Sequence, residues 1–421
     1  MNKYEKLELS NKGQLLVVSE EEAKTATALL MFKTGSKHET RENNGISHFL
    51  EHMFFKGSKK YPNTLTLSSA LDALGCEFNA FTGKEYTGYY VKVAAHKLEK
   101  ALDVLGDMML YPKLESKEIA REKGVIIEEL NMYQDNPMMH IDDVLENCLY
   151  GDTPAGWDTI GTKDNILRFK KSDFINYLNS QYGAESARLI LAGAVSTKAI
   201  KQGKVMLGKF VKGNFKEAEK VDVGQTKPQL KVVFKDIDQT VLALAVRSFP
   251  AGHQEELSVK LLALVLGGAM SSRLFISLRE RKGLAYSVRT STESYSDSGY
   301  LYTQAGVPYN KTEEAIKIIL REYKRLRTQL VSANELKKAK DILEGRIMMQ
   351  MELSDNVANW YGRQSVLYPK IKTPQEFLNQ VKKITPASLR ETARKIFLSD
   401  RLNLALIGKN KAVDLEGILK L

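Results

Sequence analysis

The segment KLEKALDVLGDMM (97–109) is echoed 214 residues later by KTEEAIKIILREY (311–323). In each place a second helical pattern follows, entered through a Ser: LESKEIAREKGVIIEEL (114–130) and, 217 residues on, VSANELKKAKDILEGRI (331–347). Both offsets are about half of the 421-residue chain, and self-similarity at that spacing indicates an internal duplication. Two related halves are therefore expected, each able to bury a core of its own. The boundary falls in VKGNFKEAEKVDVGQTKPQLK (211–231), which is polar, carries Gly213, Gly224 and Pro228, and lacks apolar periodicity. This predicts domains at 1–212 and 230–421, joined by a linker at 213–229.

Within each half, helical patterns alternate with strands of period two, such as EFNAFTGKEYTGYYVKVAA (77–95) and YSVRTSTESYSDSGYLYTQAGV (286–307). The strands adjoin through short turns at Gly83 and at Asp297–Gly299, so they pair antiparallel. The expected fold class is α+β: two related domains, each a mostly antiparallel sheet with helices packed on one face.

Composition narrows the function classes. With 43% hydrophobic and 27% charged residues the chain is an ordinary globular one, and it has no apolar run of about 18 residues to span a bilayer. Its first residues, MNKYEKLELSNKGQLLVVSE, read as a strand, a turn at Asn11–Gly13 and a strand, not as a leader. A cytoplasmic protein without membrane association is expected. Two cysteines, Cys76 and Cys148, are too few for a disulfide framework or thiolate cluster and read as small buried residues.

The net charge of +11 is unevenly placed. Residues 1–200 hold 24 Lys+Arg against 28 Asp+Glu, and residues 201–421 hold 38 against 23. In the basic half, REYKRLRTQL (321–330) shows helical spacing of Ile318, Leu320, Tyr323, Leu326 and Leu330, which makes its cations one solvated helix face. No zinc-finger spacing or RNA-binding aromatic signature accompanies them, and no nucleic-acid partner is expected.

The densest chemistry is GISHFLEHMFFKG (45–57). At 100° per residue, Ile46, Phe49, Leu50, Met53 and Phe54 form one apolar stripe, and His48, Glu51 and His52 gather opposite it. Two imidazoles one turn apart can converge on one ion, with Glu51 placed to act on a bound water. A catalytic zinc takes three protein ligands. In EIAREKGVIIEELNMY (118–133) the apolar stripe runs through Ile119, Val125, Ile126, Leu130 and Tyr133, and Glu122 and Glu129 project into it, whereas Glu128 points toward solvent. Carboxylates on an apolar face need a cation, a metal or hydrogen bonds. Glu129 is the better third ligand and Glu122 an orienting group beside it. The residues leave a plainer reading open, in which both carboxylates pair with lysines such as Lys123 or Lys100.

HFLEH has the inverted HxxEH form. With ISHFLEHMFFKGS, GCEFNAFTGKEYTGYY, REKGVIIEELNMYQDNP and LGGAMSSRLFISLRERKGLAYSV, the chain resembles the zinc metallopeptidases of the pitrilysin, insulin-degrading enzyme and mitochondrial processing peptidase family. The resemblance runs from the first strand to LNLALIGK (402–409), in the manner of the short two-domain members. Their distal glutamate lies about 77 residues after the second histidine, which is Glu129 here, and a further glutamate seven before it is Glu122.

The resemblance implies a zinc-dependent endopeptidase with one Zn²⁺ per chain, held by His48, His52 and Glu129, with Glu51 as general base. It places a substrate-gripping Arg and an oxyanion-stabilising Tyr at Arg279 and Tyr286 of LRERKGLAY. Read without the family, those two are a helix ending at Gly283 and a core tyrosine on the next strand. In similar proteins the strand of Asn79, Ala80 and Phe81 lies at a sheet edge beside the zinc, where a peptide substrate could add to it; the sequence does not show which edge is free. Larger relatives enclose substrate between four such domains, so a homodimer is expected, with a heterodimer of related subunits as the variant. A non-catalytic partner subunit of the same fold is the alternative function, although such relatives usually lack the zinc set.

Overall fold

The computed structural model describes residues 3–222, 224–411 and 415–421. The chain forms two compact units, each assembled from several stretches.

The first unit comprises residues 1–130, 158–219 and 346–375. Its sheet holds β1 (Glu5–Glu8), β2 (Gln14–Ser19), β3 (Thr25–Phe32), β4 (Glu77–Thr82), β5 (Thr87–Ala94) and β6 (Ala187–Gly193), in the order β1-β2-β6-β3-β5-β4. Every neighbouring pair is antiparallel except β2 with β6. The central strands are apolar and buried on both faces: ARLILAG of β6 throughout, and TATALLMF of β3 beyond its first residue.

One face of this sheet carries the Ile46–Phe54 helix, here called the histidine helix, together with the Leu98–Leu110 and Thr197–Gly208 helices. There Phe54 meets Tyr89 of β5, with ring centroids 5.1 Å apart. The opposite face, bearing Thr27, Leu29 and Met31, is covered by the Ser354–Leu367 helix. The Thr27 and Ser354 hydroxyls are hydrogen-bonded at 2.8 Å. Gly362 lies so close that a Cβ there would come within 2.5 Å of Met31 Sδ.

The second unit comprises residues 131–157, 220–345 and 376–421. Its sheet holds β7 (Gln229–Phe234), β8 (Gln239–Arg247), β9 (Val288–Ser294), β10 (Gly299–Pro308) and β11 (Leu402–Gly408), in the order β7-β11-β8-β10-β9. This repeats the β2-β6-β3-β5-β4 order of the first sheet, including its single parallel pair, β7 with β11. The echo in sequence is thus an echo in topology, and the fold is the expected two-domain α+β class. Helices Glu256–Gly267 and Thr312–Thr328 pack on one face. In the latter, Ile318, Leu320, Tyr323 and Leu326 are buried, whereas Leu330 lies beyond the helix end and is exposed.

The units are not the contiguous stretches 1–212 and 230–421. Helix Pro137–Tyr150, from the first half of the chain, packs on β8 and β11 of the second unit, and its counterpart Ser354–Leu367, from the second half, packs on β3 and β6 of the first. Helices therefore cover both faces of each sheet, not one. The cause is apolar: strands buried on both sides need cover on both sides, and each half lends one amphipathic helix to the other sheet.

Candidate metal centre

The histidine helix begins at Gly45, whose φ of 99° is in the left-handed region and whose Cβ, if present, would meet Ile160 O at 2.6 Å. Buried Glu39 anchors this end, accepting from the Gly45 and Ser47 N–H groups at 2.8 Å each and from Asn44 Nδ2 at 3.0 Å. Burial raises the Glu39 pKa, and those same bonds oppose the rise. The helix buries Ile46, Phe49, Leu50, Met53 and Phe54, which turns His48, Glu51 and His52 to the half-buried side.

The Ser116–Asp135 helix brings its carboxylates to the same place. Its buried line is Ile119, Glu122, Ile126 and Leu130. Val125, expected in that stripe, is 49% exposed, because it is turned about 100° from Ile126. Glu128 faces solvent as its phase requires.

Glu129 Oε1 lies 3.6 Å from His48 Nε2, and Glu129 Oε2 lies 3.3 Å from His52 Nε2. One donor atom from each of His48, His52 and Glu129 falls within 4.8 Å of the other two. His52 Nδ1 is engaged by Glu122 Oε1 at 2.9 Å, and Glu122 Oε2 pairs with Lys56 Nζ at 2.6 Å. The lysine reading holds in part, for Glu122 has a lysine partner in Lys56 while Glu129 is met by the two histidines. Lys123 Nζ donates to Leu167 O and Lys100 Nζ to Asp103, so Glu122 is met by Lys56 and His52 instead.

Burial works against a charged His52, but its bonds with Glu122 and Glu129 outweigh that and push its pKa up to about 9. Bonds from His48 and His52 hold Glu129 down at about 2. Burial alone would raise Glu122, yet His52 and Lys56 keep it below the ordinary carboxylate range. The cluster is thus held by mutual pairing, two carboxylates against the imidazoles and Lys56.

Two imidazoles and a carboxylate are the nitrogen–oxygen donor set that zinc accepts. With His52 Nδ1 committed to Glu122, Nε2 is the atom left for a metal, which is the usual carboxylate–histidine arrangement behind a zinc ligand. These residues fit a zinc ion. Glu51 lies outside the donor set, its Oε2 accepting from Thr82 Oγ1 at 2.5 Å.

Asn79, Ala80 and Phe81 lie on β4, which pairs only with β5 among the described residues and forms the sheet edge. Asn79 Oδ1 caps the Ala80 N–H at 2.9 Å. A cavity of about 290 Å³ runs along this edge, lined by Glu51, His52, Phe55, Phe78, Asn79 and Ala80. Arg279 and Tyr286 belong to the second unit, where the guanidinium lies 5.2 Å from the Tyr286 ring centroid. Tyr286 is 82% exposed, so it is no core residue.

Lys56 and Thr82 were not legible as members of this cluster. The available signals were weak: Lys56 follows His52 by one helical turn, and Thr82 shares strand parity with Phe78 and Ala80. Cys76 and Cys148 are free and half-buried rather than fully buried. No helix among the described residues is long and apolar enough to cross a membrane.

The helix-borne HxxEH set and the duplicated α+β fold define a metallopeptidase class, and comparison with known proteins agrees. The family profile for insulinase, peptidase family M16, matches residues 15–163, and that for the M16 inactive domain matches residues 168–343. A Bacillus subtilis (strain 168) protein named an uncharacterized zinc protease, YmxG, is 35% identical over 375 residues, 89% of this chain and 90% of its own length. A Rickettsia felis protein with the same description is 33% identical over 393 residues, 92% of each. The crystal structure of a protease from Helicobacter pylori superposes with a TM-score of 0.91 at 22% identity, over 97% of this chain and 99% of that one. A Pseudomonas fluorescens structure described as an M16 inactive domain gives 0.89 at 18%, with the same coverage. These two structures show the shared fold. The chain belongs to peptidase family M16.

Proposed function

We propose that the chain is a zinc-dependent endopeptidase that hydrolyses peptides or unfolded polypeptide segments, with one zinc ion held by His48, His52 and Glu129. The observation that carries this reading is the meeting of those three side chains from two separate helices, with Glu51 on the same helix face as both histidines. Zinc, when bound, would polarise the scissile carbonyl and acidify the attacking water.

The chain's own residues supply the rest. Glu51 takes the water proton at Oε1, the oxygen that Thr82 leaves open, and returns it to the departing amine. Glu122, braced by Lys56, holds the His52 ring in orientation and fixes its proton on Nδ1. The β4 edge pairs with an extended substrate through main-chain bonds at Asn79, Ala80 and Phe81, which tolerates many sequences and requires an unfolded segment. Arg279 and Tyr286 grip the substrate and stabilise the oxyanion, contributed in a homodimer by the second copy; a heterodimer with a related subunit is the variant arrangement. Peptides, not nucleic acid or membranes, are the partners, and the cytoplasm is the compartment, in keeping with two free cysteines.

The test is reconstitution. Apo protein given one equivalent of zinc should cleave an unstructured peptide, and Glu51→Gln should retain the zinc and lose the cleavage. Equal behaviour of the two proteins overturns the reading. The alternative, a non-catalytic partner subunit, draws on the inactive-domain description. That profile covers residues 168–343, whereas His48, Glu51, His52 and Glu129 all lie before it. Absence of stoichiometric zinc after chelator-free purification would favour the alternative.

A further inference from the structure

The β4–β5 hairpin borders a second cavity, on the sheet face away from the histidine helix. Strand parity sorts the side chains. Phe78 meets Phe55, with ring centroids 6.0 Å apart, and Thr82 meets Glu51, so these point to the metal side. Phe81 points the other way and lies over Gly88, where a Cβ would come within 2.2 Å of the Phe81 ring. Gly88 is what lets the ring lie flat on β5 there.

Phe81 and Tyr86, with ring centroids 6.0 Å apart, form one wall of this cavity of about 410 Å³. Gln350, Met351, Asn356, Asn359, Trp360 and Arg363, on and just before the Ser354–Leu367 helix, form the other. The Trp360 N–H is committed to Lys372 O at 3.0 Å. Nearby in the chain Met348, Met349 and Leu353 are exposed, a run of soft, adaptable apolar side chains. Aromatic rings, a thioether, three side-chain amides and the Arg363 guanidinium beside an edge strand suit a large side chain such as an aromatic ring, which packs on rings and on a guanidinium alike, carried on a hydrogen-bonding backbone.

We propose that this cavity is a substrate subsite that takes a large apolar side chain of a peptide added to the β4 edge. The inference rests on the peptidase reading and deepens it. A strand added to β4 continues its pleat, so successive substrate side chains fall on alternate faces. Those on one face enter the cavity of Phe55 and Phe78 beside His52 and Glu51; their immediate neighbours enter the cavity of Phe81 and Trp360. Two subsites then read positions of opposite parity, and the second is built largely by the helix lent from the other half of the chain.

The experiment is a positional-scanning peptide library cleaved by the zinc-loaded full chain, by Phe55→Ala and by Asn359→Trp. Asn359 is exposed, so an indole there fills the cavity without repacking the core; Asn356→Trp is the second variant, and an unchanged thermal midpoint checks that each folds. At one position the wild type should prefer Phe over Ala by about tenfold in kcat/KM. Asn359→Trp should bring that ratio close to one, and the position it alters should be an odd number of residues from the one altered by Phe55→Ala. Tight binding of the Phe peptide, relative to the Ala peptide, to Glu51→Gln should weaken in the same way when Asn359→Trp is added. An unchanged ratio in both tryptophan variants, or two altered positions of the same parity, overturns the subsite while zinc-dependent cleavage leaves the peptidase reading standing. Loss of all zinc-dependent cleavage in the wild type overturns both.

Discussion

Thr82 Oγ1 donates to Glu51 Oε2 at 2.5 Å, joining the last residue of the edge strand β4 to the proposed general base. The strand proposed to receive the substrate backbone therefore also holds the rotamer of the group proposed to move the proton. In the proposed mechanism, substrate register and base position would be set by one element.

Thr82→Val keeps the shape and removes the donor. Misplacing a catalytic group by about an ångström lowers turnover by up to about a hundredfold. The expected outcome is a kcat reduced by about 10- to 100-fold, with KM and bound zinc unchanged and with Thr82→Ser close to wild type. Steady-state kinetics alongside metal analysis decides it. Equal loss in the Ser and Val variants would show that packing, not the hydrogen bond, matters at this position.

Lys56 reaches the His48–His52–Glu129 cluster through Glu122, whose other oxygen holds His52. Removing the cation leaves a carboxylate, 3% exposed, with one partner fewer and a less firmly held imidazole. Lys56→Met should weaken zinc affinity by about tenfold, and Glu122→Gln by about 10- to 100-fold, the range for groups behind a metal ligand. Competition with a chromogenic chelator measures both. Wild-type affinity in Glu122→Gln would remove that carboxylate from the site.

Lys37 and Glu85 form an ion pair of 2.8 Å with side chains only 1% and 5% exposed. Next to it, Ser36 N–H donates to Gly83 O and Lys37 N–H to Lys84 O, so the pair helps tie the β4–β5 turn to the segment ahead of the histidine helix. Deleting one member takes the ion pair from a buried charge and destabilises by about 3–5 kcal/mol. Lys37→Met should show that loss in denaturant unfolding, and adding Glu85→Leu should recover most of it. A single variant as stable as wild type would contradict the burial.

The contrast between these residues shows what periodicity can carry. His48, Glu51 and His52 were legible because the histidine helix is apolar on the face opposite them, so its phase has one solution. Glu122 and Glu129 followed from the same rule, whereas Val125 did not, because two adjacent apolar residues leave a helical phase ambiguous until packing chooses Ile126. The exchange of the Pro137–Tyr150 and Ser354–Leu367 helices was illegible. Amphipathicity states that a face is buried and is silent on which sheet buries it. Thr82 was hidden for a related reason: alternation pairs it with Phe78 and Ala80, and only tertiary structure shows that their face meets Glu51.

His38 supplies the pH-dependent prediction, since burial lowers its pKa to about 4, Glu217 opposing and Lys33 and Lys37 assisting. Neutral His38 accepts the Gly35 N–H on Nδ1 at 3.3 Å, a role that protonation ends. The folded pKa lies below the value near 6.5 in the unfolded chain, so between about 6.5 and 4 the unfolded state binds the extra proton and stability falls as pH falls. The slope from this one group is at most about 1.4 kcal/mol per pH unit. His38→Asn, which cannot titrate, should show a shallower loss of stability than wild type between pH 6.5 and 4, and the two curves should run parallel above pH 7. Urea unfolding at each pH measures the difference, and parallel curves across the whole range would show that His38 does not titrate as its burial requires.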